Sequence, residues 1–138
     1  KIAPGSIASL VTTLIFYLFA KYLFFSLLII IILVTTILSF IAVGVYTSGS
    51  SEKDKSEIVI DEVIGQSIAL SPLLLFPEYN LPEFYMCLIS LLFFRFFDIV
   101  KPFPINEVDK INSNFGVILD DILAGFFSAI FLTLILNL

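Results

Sequence analysis

Arg95, Asp98 and Lys101 are spaced by three in "RFFDIVK", which sets plus, minus and plus on roughly one helical face. Two adjacent acid pairs, Asp61-Glu62 and Asp120-Asp121, each stand near the start of an apolar run, and Asp54 lies in the polar stretch before the first pair. An ion pair with side chains snorkelling to an interface would account for the mixed trio alone. Acids in a first helical turn are likewise stabilised by the helix macrodipole. One short polar residue would serve there, however, without two adjacent acids bordering an apolar run. Neighbours on a helix point about 100° apart, so each pair is expected to turn one acid inward and leave the other to cap or to reach the surface.

Converging carboxylates, in a chain with no histidine, suit a hard, oxygen-seeking cation such as Mg2+. Such a cation beside arginine and lysine suits a phosphate, which the metal polarises while the guanidinium binds its oxygens in a bidentate fork. The loop around Asp54 is placed to cover such a site. The lack of histidine removes His-dependent hydrolases, phosphohistidine carriers and His-ligated zinc or haem sites. Cys87 precedes Arg95 by eight residues, so there is no Cys-x5-Arg loop, and neither an Asp-x-Asp-x-Thr motif nor a Walker glycine loop occurs. Hydrolysis by a metal-activated water, with a carboxylate as general base, is the chemistry left. Cys87, the lone cysteine, reads as a packed thiol in an apolar helix.

The elements that must position these residues are apolar. The 138-residue chain is 59% hydrophobic and only 14% charged, with mean hydropathy +1.11, whereas soluble domains carry about a quarter charged residues. This composition marks an all-α integral membrane protein. Residues 6–20 form a first segment with Ser6 as N-cap; at about 22 Å it falls short of the ~30 Å hydrocarbon core. Lys21 breaks that run, and residues 24–46 are long enough to span. The polar 47–57 stretch reads as a loop. Segment 58–76 has a kink expected at Pro72 and an end at Pro77, and segment 84–100 stops before Pro102 and Pro104. After a connection over 105–114, the last segment starts with Asn114 as a candidate cap. The expected architecture is a compact bundle of about five membrane helices, the first short, forming a single domain over 1–138. A few residues are expected to precede Lys1, because the chain opens inside what reads as a motif.

Five crossings bring the N-terminus, the 47–57 loop and the 101–114 loop to one face. Lys1, Lys53, Lys55, Lys101 and Lys110 fall there and only Lys21 opposite, so that face is expected to be cytoplasmic. Asp54, Asp61, Glu62, Asp98, Asp109, Asp120 and Asp121 fall at or near the same face, against Glu78 and Glu83 opposite. Three helices thus bring carboxylates to one depth. A small cation transporter or channel subunit would also carry intramembrane carboxylates and stays the alternative. Its site would lie near the midplane between broken helices, and the crowding at one face favours chemistry on a lipid headgroup instead.

Four stretches, "APGSIASL" (3–10), "KDKSEIVIDEVIGQ" (53–66), "FRFFDIVKPFPI" (94–105) and "NFGVILDDILAG" (114–125), together resemble the phosphatidylglycerophosphatase A family in order and spacing, over nearly the whole chain. The resemblance implies a Mg2+-dependent enzyme of the bacterial inner membrane, multi-pass, with its active site facing the cytoplasm. It would remove the terminal phosphate of phosphatidylglycerophosphate to leave phosphatidylglycerol. The partners implied are a phospholipid substrate and the bilayer, with no nucleic acid; the sequence does not fix an oligomeric state. By motif match, Asp61, Arg95, Asp98 and Asp121 are the expected catalytic residues. Asp61, Glu62, Asp98, Asp120 and Asp121 are the expected metal ligands, and Asp54, Arg95 and Lys101 the expected substrate contacts. Arg95 would clamp the phosphate, Asp98 would ligate metal or orient Arg95, and Lys101 would touch phosphate at the interface. Two departures stand out: Ser6 replaces the family's usual threonine, keeping the hydroxyl, and Lys55 follows Asp54 where proline is common. A CDP-alcohol phosphotransferase would need a longer signature of spaced aspartates and glycines, which is absent.

Overall fold

A computed structural model describes residues 4–49, 59–78, 81–111 and 114–137, and every element among them is helical. The order is α1 (Pro4–Phe19), continued by a 3-10 turn (Ala20–Tyr22), α2 (Phe25–Gly49), α3 (Ile60–Leu70), α4 (Pro72–Leu75), α5 (Glu83–Val100), α6 (Ile105–Asp109) and α7 (Asn114–Leu136). Hydroxyls inside the apolar helices bond back to their own backbone: Thr13 donates to the Ser9 carbonyl, Thr36 to that of Ile32 and Ser128 to that of Ala124. Such back-bonding satisfies a polar group without an outside partner.

Several local expectations change. Pro4 is already helical, so Ser6 sits within the first turn rather than at the cap; proline's fixed φ suits a first helical position. Lys21 stands at the end of the first segment as expected, within a 3-10 turn that prolongs it, so the combined Pro4–Tyr22 element reaches about 30 Å. Asn114 is likewise part of α7 itself. Pro72 does more than kink the third segment: the helix divides at Ser71, whose hydroxyl donates to the Ile68 carbonyl at 2.7 Å. The expected 105–114 connection contains the five-residue α6, too short for hydrophobic periodicity to reveal.

By length and composition, Pro4–Tyr22 and Ile118–Leu136 qualify as membrane spans, and the Phe25–Ile41 part of α2 is apolar as well. Large apolar side chains such as Leu18, Leu33, Ile37, Leu92 and Leu134 are exposed, far beyond the scattered few that soluble proteins show.

α3 is the hub, packing on α7, α1, α2 and α5, and residues 64–70 of it are all buried. Its tightest crossing is with α7. A Cβ at Gly125 would strike the Gly65 carbonyl, and one at Gly65 would lie 2.6 Å from the Asp121 carbonyl oxygen and against the Phe94 ring. Small residues at a crossing let two backbones approach, and here they draw the acid-bearing starts of α3 and α7 together.

Candidate active site

The starts of α1, α3 and α7 and the end of α5 carry the polar residues. Asp61 and Glu62 occupy the first turn of α3, and Asp121 faces them from α7; one carboxylate oxygen from each lies within 4.8 Å of the other two. Asp61 and Asp121 are each only 5% exposed. Asp61 accepts the Glu62 backbone N–H at 3.2 Å, which fixes the first-turn geometry. The Glu62 carboxylate rests on α1 at Gly5, where a Cβ would have no room. Glu62 Oε2 is buried with no hydrogen-bond partner.

Arg95 and Asp98, one turn apart on α5, form a 2.7 Å ion pair with both side chains largely buried. Arg95 Nη1 also donates to Ser9 Oγ of α1 at 3.4 Å, while Ser9 Oγ donates to the Gly5 carbonyl at 2.8 Å. Arg95 Nε is buried and unpartnered. Asp98, Asp61 and Asp120 are the charged neighbours of Asp121, so the ion pair and the acid trio form one continuous cluster.

Lys101 breaks with the expected plus-minus-plus face. It caps α5 in the left-handed region, at φ 46°, because Pro102 prevents the helix from continuing. That turn carries its ammonium away from Asp98 to Asp109 of α6, at 2.8 Å, and Asp120 of α7, at 2.5 Å. Burial acts to lower the Lys101 pKa, but the hydrogen bonds and charges of Asp109 and Asp120 outweigh it and hold the ammonium above its ordinary range.

Seven of the eight residues expected from the sequence therefore meet in two adjoining groups, and Asp54 lies outside the described residues. The expected inward-outward split fails for Asp120-Asp121, both 5% exposed. α7 is covered on two sides, by α3 and by α6 with the α5 cap. Asp98 pairs with Arg95 and stands outside the tight trio. Ser9, Gly5 and the part of Asp109 were missed. Ser9 and Gly5 lie within the "APGSIASL" motif, the one signal that marks them, and Ser9 reaches Arg95 across 86 residues.

The donor set fits a hard divalent cation. Acids outnumber the basic groups, all the donors are oxygen, and Glu62 Oε2 is buried without a partner. Three carboxylate oxygens within 4.8 Å of one another are near enough to share one cation. Carboxylates this close repel one another until a cation or protons neutralise them.

The family profile described as Phosphatidylglycerophosphatase A matches residues 1–136. A Bacteroides thetaiotaomicron protein, provisionally named a phosphatidylinositol-3-phosphatase, is 31% identical over 132 residues, covering 93% of this chain and 80% of that protein. Phosphatidylglycerophosphatase A of Haemophilus influenzae is 31% identical over 129 residues (93% and 76%), and that of Escherichia coli K12 is 30% identical over 136 (93% and 71%). No solved structure matches the chain.

Proposed function

The chain belongs to the phosphatidylglycerophosphatase A family, and from that premise we propose that it hydrolyses the terminal phosphomonoester of phosphatidylglycerophosphate with the help of Mg2+, releasing phosphatidylglycerol and phosphate. The observation that carries the reading is the meeting of Asp61, Glu62 and Asp121 beside the Arg95–Asp98 pair at one end of an apolar bundle. A guanidinium next to oxygen ligands is the pairing that a phosphate dianion needs.

Arg95, oriented by Asp98, turns its remaining N–H donors to two phosphate oxygens. One acid of the Asp61–Asp121 pair accepts a proton from the attacking water as the new P–O bond forms. The bond from phosphorus to the glycerol oxygen breaks, and that oxygen leaves with the proton that the acid has just accepted. Asp61, Glu62 and Asp121 would hold Mg2+, which when bound neutralises phosphate charge and acidifies water. Asp98 and Asp120 border that set. Lys101 pins Asp120 and Asp109 with two of its three N–H donors, and with the third it stays a proposed phosphate contact; Asp54 remains a proposed substrate contact from the family motif.

The exposed apolar belt supports a multi-pass protein of the bacterial inner membrane, and the lysine-bearing loops support a cytoplasmic site. The same geometry accepts other lipid phosphomonoesters, and the name of the Bacteroides relative points to an inositol headgroup. The test is phosphate release by purified protein in detergent, from phosphatidylglycerophosphate and from phosphatidylinositol 3-phosphate, with Mg2+ or with EDTA, beside Asp121→Asn. Mg2+-dependent release from the first lipid, abolished in Asp121→Asn, is the expected result. Release from neither lipid by folded protein overturns the reading.

A further inference from the structure

The acids of α3 and α7 are followed directly by apolar residues, and two of these open onto grooves. Val63, next to Glu62, lines a groove of about 390 Å3 between α1 and α2, with Ile15, Phe16, Phe19, Leu27 and Ile31 among its walls. Ile122, next to Asp121, lines a second of about 300 Å3 between α2 and α7, with Ile29, Leu33 and Phe126. The grooves share Leu28, so they flank α2 on its two sides over the buried face of α3.

Neither groove contains a charged side chain. Of their polar residues, Thr12, Ser67, Thr36 and Ser71 each donate the hydroxyl to their own helix, and Tyr22 brings its phenol only at the end of α1 remote from the acids. From Glu62 at the acid cluster to Ser71 in the second groove is nine residues of α3, or about 14 Å. That is close to half of the ~30 Å hydrocarbon core, the depth of one leaflet.

We infer that the two grooves are acyl-chain subsites, which take the two hydrocarbon chains of a single diacyl phospholipid straddling α2 while its phosphate sits at the acid cluster. The inference rests on the lipid phosphatase reading above and extends it: the substrate is recognised at its tails as well as at its headgroup, and the chain pair is oriented by a protein wall. Bulk lipid filling the same space is the competing occupant.

Ile15 and Leu33 are 52% and 58% exposed, so a larger side chain at either narrows its groove without invading the core. The experiment compares Ile15→Trp, Leu33→Trp and the off-groove control Leu134→Trp for turnover of dipalmitoyl and of dihexanoyl phosphatidylglycerophosphate. Each groove variant is expected to lower kcat/KM for the dipalmitoyl lipid about tenfold, mainly through KM, roughly the effect of withdrawing two methylenes from apolar contact. Dihexanoyl turnover and the control should stay within about twofold, since six carbons end before the obstructions and the active site is untouched. Equal losses on both lipids, or no loss on either, overturn the inference. A wild-type protein inert toward both lipids overturns the phosphatase reading, and the subsites with it.

Discussion

Gly125 of α7 passes Gly65 of α3 with no space for a methyl group between them. The same contact sets how far Asp121 stands from Asp61. Gly125→Ala is therefore expected to lower stability by about 1–3 kcal/mol, as overpacking does in close-packed interiors, and to reduce activity further by separating the acids. Thermal unfolding in detergent, read beside kcat, checks both effects; a stable and fully active variant would show that the crossing does not govern the site.

Arg95 offers a planar fork that lysine cannot copy. Arg95→Lys is expected to cut kcat/KM about a hundredfold, the scale seen when one positioned donor is lost from a transition-state site, with little change in unfolding temperature. Asp98→Asn, which keeps a hydrogen-bond acceptor beside Arg95, should lose less. Steady-state kinetics on the three proteins rank them, and equal activity of Arg95→Lys and wild type rules out the bidentate role.

Glu62 has a buried carboxylate oxygen with nothing to bind. If that oxygen serves a cation, Glu62→Gln raises the Mg2+ concentration for half-maximal activity about tenfold or more, at least the effect of disturbing a metal's supporting shell. Without added metal the same variant should unfold no earlier than wild type, because a repulsive charge has been removed. A Mg2+ titration of activity and an unfolding curve in EDTA read the two outcomes separately.

Lys101 joins α6 to α7 through Asp109 and Asp120. Lys101→Met leaves Asp120 buried without its cation and is expected to cost about 3 kcal/mol, the scale for breaking a buried pair. Adding Asp120→Asn should recover part of that loss. The folded pKa of Lys101 is raised, so its contribution is fully present below the unfolded value of about 10.4 and fades only as pH rises beyond it. Unfolding of wild type and of the double variant Lys101→Met with Asp120→Asn, which has no orphaned buried carboxylate at 120 to titrate, should therefore differ by a constant amount between pH 6 and 9.

Much of the site was legible because apolar helices make charge conspicuous. Asp61, Glu62, Arg95, Asp98, Asp120 and Asp121 each interrupt an apolar run, and the alternation of helix directions brings them to one end. The rest depended on tertiary detail. The left-handed cap at Lys101 follows from Pro102, yet its choice of Asp109 and Asp120 needs α6, which is too short to show a period. Ser9 and Gly5 look like ordinary small residues of an apolar helix, and their service to Arg95 and Glu62 exists only once α1 lies against α3 and α5. Proline's effect at residue 72 was visible in kind and larger in degree, since a lost donor and a ring clash end a helix as easily as bend it.

The Ser9 hydroxyl has one proton, already given to the Gly5 carbonyl, so toward Arg95 it can act only as an acceptor. It is a neutral acceptor at 3.4 Å, weaker than any anion at the usual distance. An arriving phosphate oxygen thus competes with an uncharged placeholder and not with a second salt bridge. The guanidinium can change hands there without giving up Asp98, so the resting protein keeps its arginine aimed while leaving one of its donors on loan.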